Sequence, residues 1–187
     1  MKTEMKDRAK PVMAEYSNPI YSYVPHMNRY GTAVLIASVV VAIDQLSKWL
    51  VVKSIPLYGK VHVLPFLDFT HIQNPGAAFG IFRDLPEMVR MPLFAVVLVA
   101  AVSVIFYFLS RTEKGDGLLV FALSLILGGA IGNSIDRFRL RYVTDFLDFH
   151  WFGDPALHWP PFNIADSAIT IGVILILLDT FILKRGK

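Results

Sequence analysis

The sequence predicts a mainly α-helical membrane protein: four transmembrane helices with a small β-sheet cradle and a short helix on the outer face. Three observations lead there. Four apolar runs, roughly residues 32–52, 92–109, 118–135 and 164–183, each approach the ~20 residues that a bilayer core requires. Of the 187 residues, 55% are hydrophobic and only 18% charged, with a mean hydropathy of +0.52. Third, Asp44, Asp136 and Asp166 sit inside or at the ends of these runs, and Asp145 lies just beyond the third. An ionisable group at membrane depth is costly, which makes each a functional candidate.

A chain that crosses four times alternates direction. With the N-terminus inside, spans one and three end outside and span four begins outside. Asp44, Asp136, Asp145 and Asp166 then gather near the outer face. The net charge of +3 and pI of about 9.2 do not point to a nucleic-acid partner, because the basic residues surround the span ends rather than one polar segment. The absence of cysteine excludes disulfides, thiolate metal centres and cysteine nucleophiles.

Residues 1–29 carry Pro11, Pro19 and Pro25 with no apolar periodicity and read as a flexible cytoplasmic tail. Residues 30–187 read as one domain. Lys2, Lys6, Arg8, Lys10 and Arg29 precede the first span and Lys184, Arg185 and Lys187 follow the last, a small bias toward cytoplasmic termini. Val40-Val41-Ala42 would tolerate signal-peptide cleavage, but the first run continues past Asp44 and Lys48 through Trp49-Leu50-Val51-Val52. The outer segment 53–91 holds β-like stretches at 61–63 and 66–74, separated at Pro65. Asn74-Pro75-Gly76 signals a turn and Ala77-Ala78-Phe79 the start of a short helix. The outer segment 137–163 holds a strand at 141–151, and Trp159-Pro160-Pro161-Phe162 leads back to the membrane.

Asp44 and Lys48, spaced i,i+4, share one helix face as an ion pair. Helix packing and contact with reacting groups both account for it. Gly128-Gly129-Ala130-Ile131-Gly132-Asn133 suits close helix approach in lipid. Asn133 and Asp136, three apart, can face one interior, and Arg137 can pair with a carboxylate or snorkel to lipid phosphate. Asp145 and Asp148 point to opposite strand faces, and spacing does not choose between them. Asn163 and Asp166 fit a capping-box arrangement opening span four. There is no HExxH motif, and Gly132-Asn133-Ser134-Ile135 lacks the glycine a nucleophilic serine motif requires. His62, His71, His150 and His158 read as scattered, so no metal site is expected. An aspartate pair remains: two carboxylates sharing a site titrate apart, so one can hold a proton while the other activates water.

Asp44…Lys48, Asn74-Pro75-Gly76-Ala77-Ala78-Phe79, Gly128–Arg137, Val143-Thr144-Asp145-Phe146 and Phe162-Asn163-Ile164-Ala165-Asp166 together resemble the lipoprotein signal peptidase (signal peptidase II) family. The resemblance covers about residues 32–183 in order. The N-terminal tail falls outside it. The stretch between Asp145 and Asp166 looks slightly extended, with Asp154-Pro155 as an extra turn. The resemblance implies an aspartyl endopeptidase of the bacterial inner membrane that cuts diacylglyceryl-modified prolipoproteins just before the lipidated cysteine. It implies Asp145 and Asp166 as catalytic. It matches Asp44, Lys48, Asn74, Gly76, Asn133, Asp136, Arg137, Asn163 and Ala165 to supporting or substrate-lining positions. No cofactor or metal, no partner beyond substrate and membrane lipid, and a monomer are expected. The rival readings are a small proton-coupled transporter, which would carry polar groups through the full membrane depth, and a non-catalytic factor that binds signal sequences. The crowding of polar residues toward one leaflet, with Asp179 the main exception, disfavours the transporter.

Overall fold

The computed structural model describes residues 28–77, 80–113, 116–151 and 154–183. Among the described residues, four helices are long and apolar enough to cross a bilayer. They are α1 (Arg29–Ser54), α2 (Glu87–Arg111), α3 (Gly117–Leu140) and α4 (Ile164–Leu178), the last continued by a π-helical turn at Asp179–Leu183. Strands β1 (Lys60–Leu64), β2 (Leu67–Asn74), β3 (Val143–Trp151) and β4 (Asp154–His158) form one antiparallel sheet in chain order.

Helices α1, α2 and α3 run past the expected span limits, while α4 with its π-helical turn keeps them. Asn28 caps α1, its side chain accepting from the Tyr30 amide at 3.2 Å. Arg29 therefore belongs to the helical frame rather than the tail, and its guanidinium donates to the Thr112 carbonyl at the end of α2 (2.6 Å). The flexibility expected of the tail concerns residues 1–27, which lie outside the described residues. Helix α2 begins upstream of Pro92 because Pro86 precedes its first turn, where a missing amide costs nothing. Helix α3 continues to Leu140, so Arg137 and Arg139 are helical and do not open the outer segment. Arg141 then turns the chain with a left-handed backbone (φ 71°). The short helix expected from Ala77 rests on residues 78–79, which are not described. Asp154-Pro155 is not an extra turn but the start of β4, an edge strand where proline is tolerated.

The bundle is apolar outside and divided inside. Leu35, Val96 and Val99 are more than half exposed, as lipid-facing residues are when hydrocarbon is the solvent. One end of the interior is an apolar cluster of Ala33, Ala37, Ile105, Leu109, Leu123 and Leu127. The end nearest the sheet buries Asp44, Lys48, Asn133 and Asp136. The sheet is seated on this end through Val51 and Ile55 of α1 against Phe146, with Phe69 edge-on to Phe146 at 6.2 Å.

Small residues on α3 set the helix spacing. A Cβ on Gly129 would lie 2.3 Å from the Ala165 carbonyl oxygen, and one on Gly128 would lie 2.7 Å from the Val40 Cβ. Both neighbours belong to packed helices that cannot turn aside. Gly129→Ala is therefore expected to separate α3 from α4 and lower stability by about 1–3 kcal/mol. Gly117→Ala, where a Cβ meets nothing within 4 Å, should leave the thermal midpoint in detergent unchanged. Equal midpoints for the two variants would refute the close-packing account.

Candidate active site

The site is built from the buried polar end of the bundle. On α1, Lys48 donates to Asp44 Oδ2 (2.8 Å) one turn earlier. The same ammonium reaches Asp136 Oδ2 (3.0 Å) and Asn133 Oδ1 (2.9 Å) on α3. Its three protons thus have three acceptors. Asp44, fully buried, also accepts from the Ala165 amide through Oδ1 (2.9 Å), using an amide that the first turn of α4 leaves free. The fit is close: a Cβ on Gly132 would lie 2.8 Å from Asp44 Oδ2. Asp136 further accepts from Gln45 Nε2 (2.8 Å) and from the Thr144 amide (3.3 Å), which ties β3 to the bundle. Gln45 and the Thr144 amide escape motif reading. A glutamine within an apolar run was the available signal for the first, while nothing in a side-chain pattern marks a backbone amide.

Three asparagines extend this frame to two further carboxylates. Asn133, its oxygen held by Lys48, presents its amide nitrogen to Asp166 Oδ1 (2.7 Å). Asn163 caps α4: its oxygen accepts from the Asp166 amide (3.0 Å) and its own amide donates to Asp166 Oδ2 (3.3 Å), a complete capping box. Its side-chain nitrogen is left to donate to Asp145 Oδ1 at 2.7 Å. Asn74 closes an Asx turn through the Gly76 amide (3.0 Å), and its nitrogen donates to Asp145 Oδ2 (3.0 Å). In each case the oxygen is already occupied by a donor, so the amide can offer only its N–H to the acid.

Asp145 and Asp166 thus meet across Asn163. Asp148 faces elsewhere, toward Lys60 (2.6 Å) and His158 (3.0 Å). Arg137 extends over the Phe94 ring (4.5 Å) and donates to the Gly76 and Asn133 carbonyls (3.1 and 3.3 Å), and among the described residues it makes no direct ion pair with a carboxylate. Phe94 is a second residue that motif reading passes over. Asp145 and Asp166 open onto a groove of about 1070 Å³ whose walls include Phe94, Leu98, Ile126, Arg137 and Trp159. An apolar cleft with two acids at one end can hold an extended apolar ligand and act on a polar bond placed between the acids.

Of the four described histidines, three are not scattered, while His71 stands apart with its Nδ1 against the Ile55 carbonyl at 2.9 Å. His62 and His150 meet at Asp68, and His158 lies against Asp148, on one face of the sheet. Their spacing on the chain conceals a proximity created by strand register.

Burial, and then the charge of Asp166, raise the Asp145 carboxyl from 3.8 to about 7 against the lowering hydrogen bonds of Asn74 and Asn163. The folded state therefore holds a proton that the unfolded chain releases near pH 4. Stability associated with this group is greatest below that pH and falls as pH rises toward 7. The thermal midpoint in detergent should decline across this window, and Asp145→Asn should flatten that slope. A slope unaltered by the substitution would contradict the raised carboxyl.

Residues 36–182 match the family model of signal peptidase (SPase) II. A lipoprotein signal peptidase of Syntrophotalea carbinolica is 45% identical over 151 residues, spanning 80% of this chain and 91% of that protein. One from Acinetobacter baumannii is 41% identical over 170 residues, spanning 90% and 92%. A solved bacterial membrane enzyme, determined by the in meso method, is similar at a TM-score of 0.70 and 37% identity over 84% of this chain and 93% of that one. With the family model and these relatives spanning most of its length, the chain belongs to the signal peptidase II family of aspartic peptidases.

Proposed function

We propose that Asp145 and Asp166 are the catalytic pair of this peptidase and that its substrate is a diacylglyceryl-modified prolipoprotein, cut just before the lipidated cysteine. The observation that carries this reading is Asn163, which donates to both acids at once, 2.7 Å to Asp145 and 3.3 Å to Asp166. With its carboxyl raised to about 7, Asp145 holds the shared proton and donates it to the scissile carbonyl oxygen. Asp166, held by Asn133 and its own helix cap, takes a proton from the attacking water. Collapse of the tetrahedral intermediate returns a proton to the leaving amine.

Lys48, Asp44, Asp136 and Asn133 act as the frame, and Ala165 joins α4 to it. Asn74, Gly76 and Arg137 shape the wall beside Asp145. The apolar groove suits the acyl chains of the substrate and the apolar part of its signal peptide. Both acids come from one chain, so a monomer suffices. The enzyme sits in the bacterial inner membrane with both termini cytoplasmic and the pair near the outer leaflet, supported by the basic residues flanking the first and last spans. Residues 30–187 act as one peptidase unit.

Asp145→Asn and Asp166→Asn preserve size but remove the titratable group. Each is expected to slow single-turnover cleavage of a lipidated substrate by at least about a hundredfold, with folding verified by thermal unfolding. Asp148→Asn, on the other side of β3, should retain at least about a tenth of the rate, a loss of no more than ~1.4 kcal/mol in barrier. Equal rates for the Asp145 and Asp148 variants would overturn the assignment.

Reporter fusions after Gly115 and Lys187 are expected to report cytoplasm, and fusions near Gly59 and Gly153 the outside. The reverse pattern would place the pair on the wrong side for lipoprotein processing.

A further inference from the structure

The sheet has a second polar centre on the face opposite the proposed catalytic pair, and the peptidase reading does not use it. Strand register aligns His62 of β1 with Asp68 of β2, and Asp68 with Asp148 of β3. His150, two residues beyond Asp148, lies on the same strand face and opposes His158 of β4. Three strands thereby converge on one carboxylate. His62 Nδ1 lies 2.6 Å from Asp68 Oδ1, and His150 Nε2 lies 3.3 Å from the same oxygen. The three donor atoms all fall within 4.8 Å of one another.

We propose that His62, Asp68 and His150 form a binding site for a divalent transition metal of the zinc class. Zinc takes imidazole nitrogen and carboxylate oxygen at about 2.0–2.2 Å, and tetrahedral ligands then stand ~3.3 Å apart. The His150–Asp68 separation of 3.3 Å equals that value, and the His62–Asp68 separation of 2.6 Å opens to it by a small movement of the exposed His62 ring. The donors, two imidazoles and one carboxylate without thiolate, suit zinc, copper or nickel rather than magnesium or calcium.

A second observation is independent of this spacing. Both ring nitrogens of His150 are buried; among the described residues Nδ1 makes no hydrogen bond, and Nε2 has only the 3.3 Å contact with Asp68, outside hydrogen-bond geometry. Buried polar atoms without a hydrogen bond are rare and require an explanation. A metal on Nε2 supplies one for that nitrogen. Asp68 is itself only 3% exposed, so a full cation beside it offsets the cost of burying its charge. The donors open onto a groove of about 730 Å³ lined also by Lys60, Asp148 and His158, leaving room for water as a fourth ligand. Bound there, the ion fastens β1, β2 and β3 together. Asp145 faces away from the cluster, so peptide cleavage does not pass through the metal.

The test uses the full-length chain, free of any affinity tag, stripped with EDTA in detergent and titrated with zinc chloride by calorimetry. One equivalent per chain is expected, with a rise in thermal midpoint, and cobalt(II) should give the visible absorption of a tetrahedral site. His62→Ala and Asp68→Asn should each weaken zinc binding by about tenfold or more. The His62 side chain is 85% exposed, so its removal leaves the packing intact and keeps the test valid if Asp68→Asn fails to fold. Cleavage of a lipidated substrate should persist in EDTA. Absence of saturable zinc binding, or equal affinity in His62→Ala, overturns the site. Loss of cleavage in EDTA overturns its separation from catalysis.

Discussion

The buried ammonium of Lys48 is the constraint on which the rest of the site depends. It is 4% exposed and contacts Asp44, Asp136 and Asn133. A charge so far from water is tolerated only when fully paired and hydrogen-bonded, and removing one partner leaves the others uncompensated. Through Asp44 the charge reaches the first turn of α4, through Asp136 it reaches β3, and through Asn133 it reaches Asp166. One cation thus sets the relative positions of three helices and a strand.

The asparagines convert that rigidity into placement. An amide carries an acceptor and two donors, and here a donor already occupies each acceptor. What remains for the acids is N–H alone. Asp145 and Asp166 are each hydrogen-bonded by two asparagines, with Asn163 common to both. The glycines of α3 make the arrangement sterically possible, because Gly129 and Gly132 leave room for the Ala165 carbonyl and the Asp44 carboxylate. In lipid, where apolar side chains gain little by leaving the solvent, close approach and buried polar contacts take over the role of a hydrophobic core.

The sheet separates two chemistries with a single strand. Side chains alternate along β3, so Asp145 turns toward the bundle and Asp148 and His150 turn the other way. The inner face serves the proposed dyad. The outer face collects imidazoles and carboxylates contributed by β1, β2 and β3. This separation allows a cation to bind on one side without altering the proton balance on the other.

The four spans, the Asp44–Lys48 pair, the cap at Asn163 and the turn at Asn74 are all local. Each depends on residues a few positions apart, and helix and turn geometry convert such spacings directly into contacts. That is why they could be read from the chain. Spacing alone left Asp145 and Asp148 equivalent, because strand alternation says only that they diverge; the fold brings Asn163 and Asn74 to one of them and Lys60 to the other. Gln45, Phe94 and the Thr144 amide acquired their places through contacts between residues distant in sequence. The meeting of His62 with His150 arose the same way, since strand register and helix packing join residues whose separation in the chain carries no trace of their distance in space.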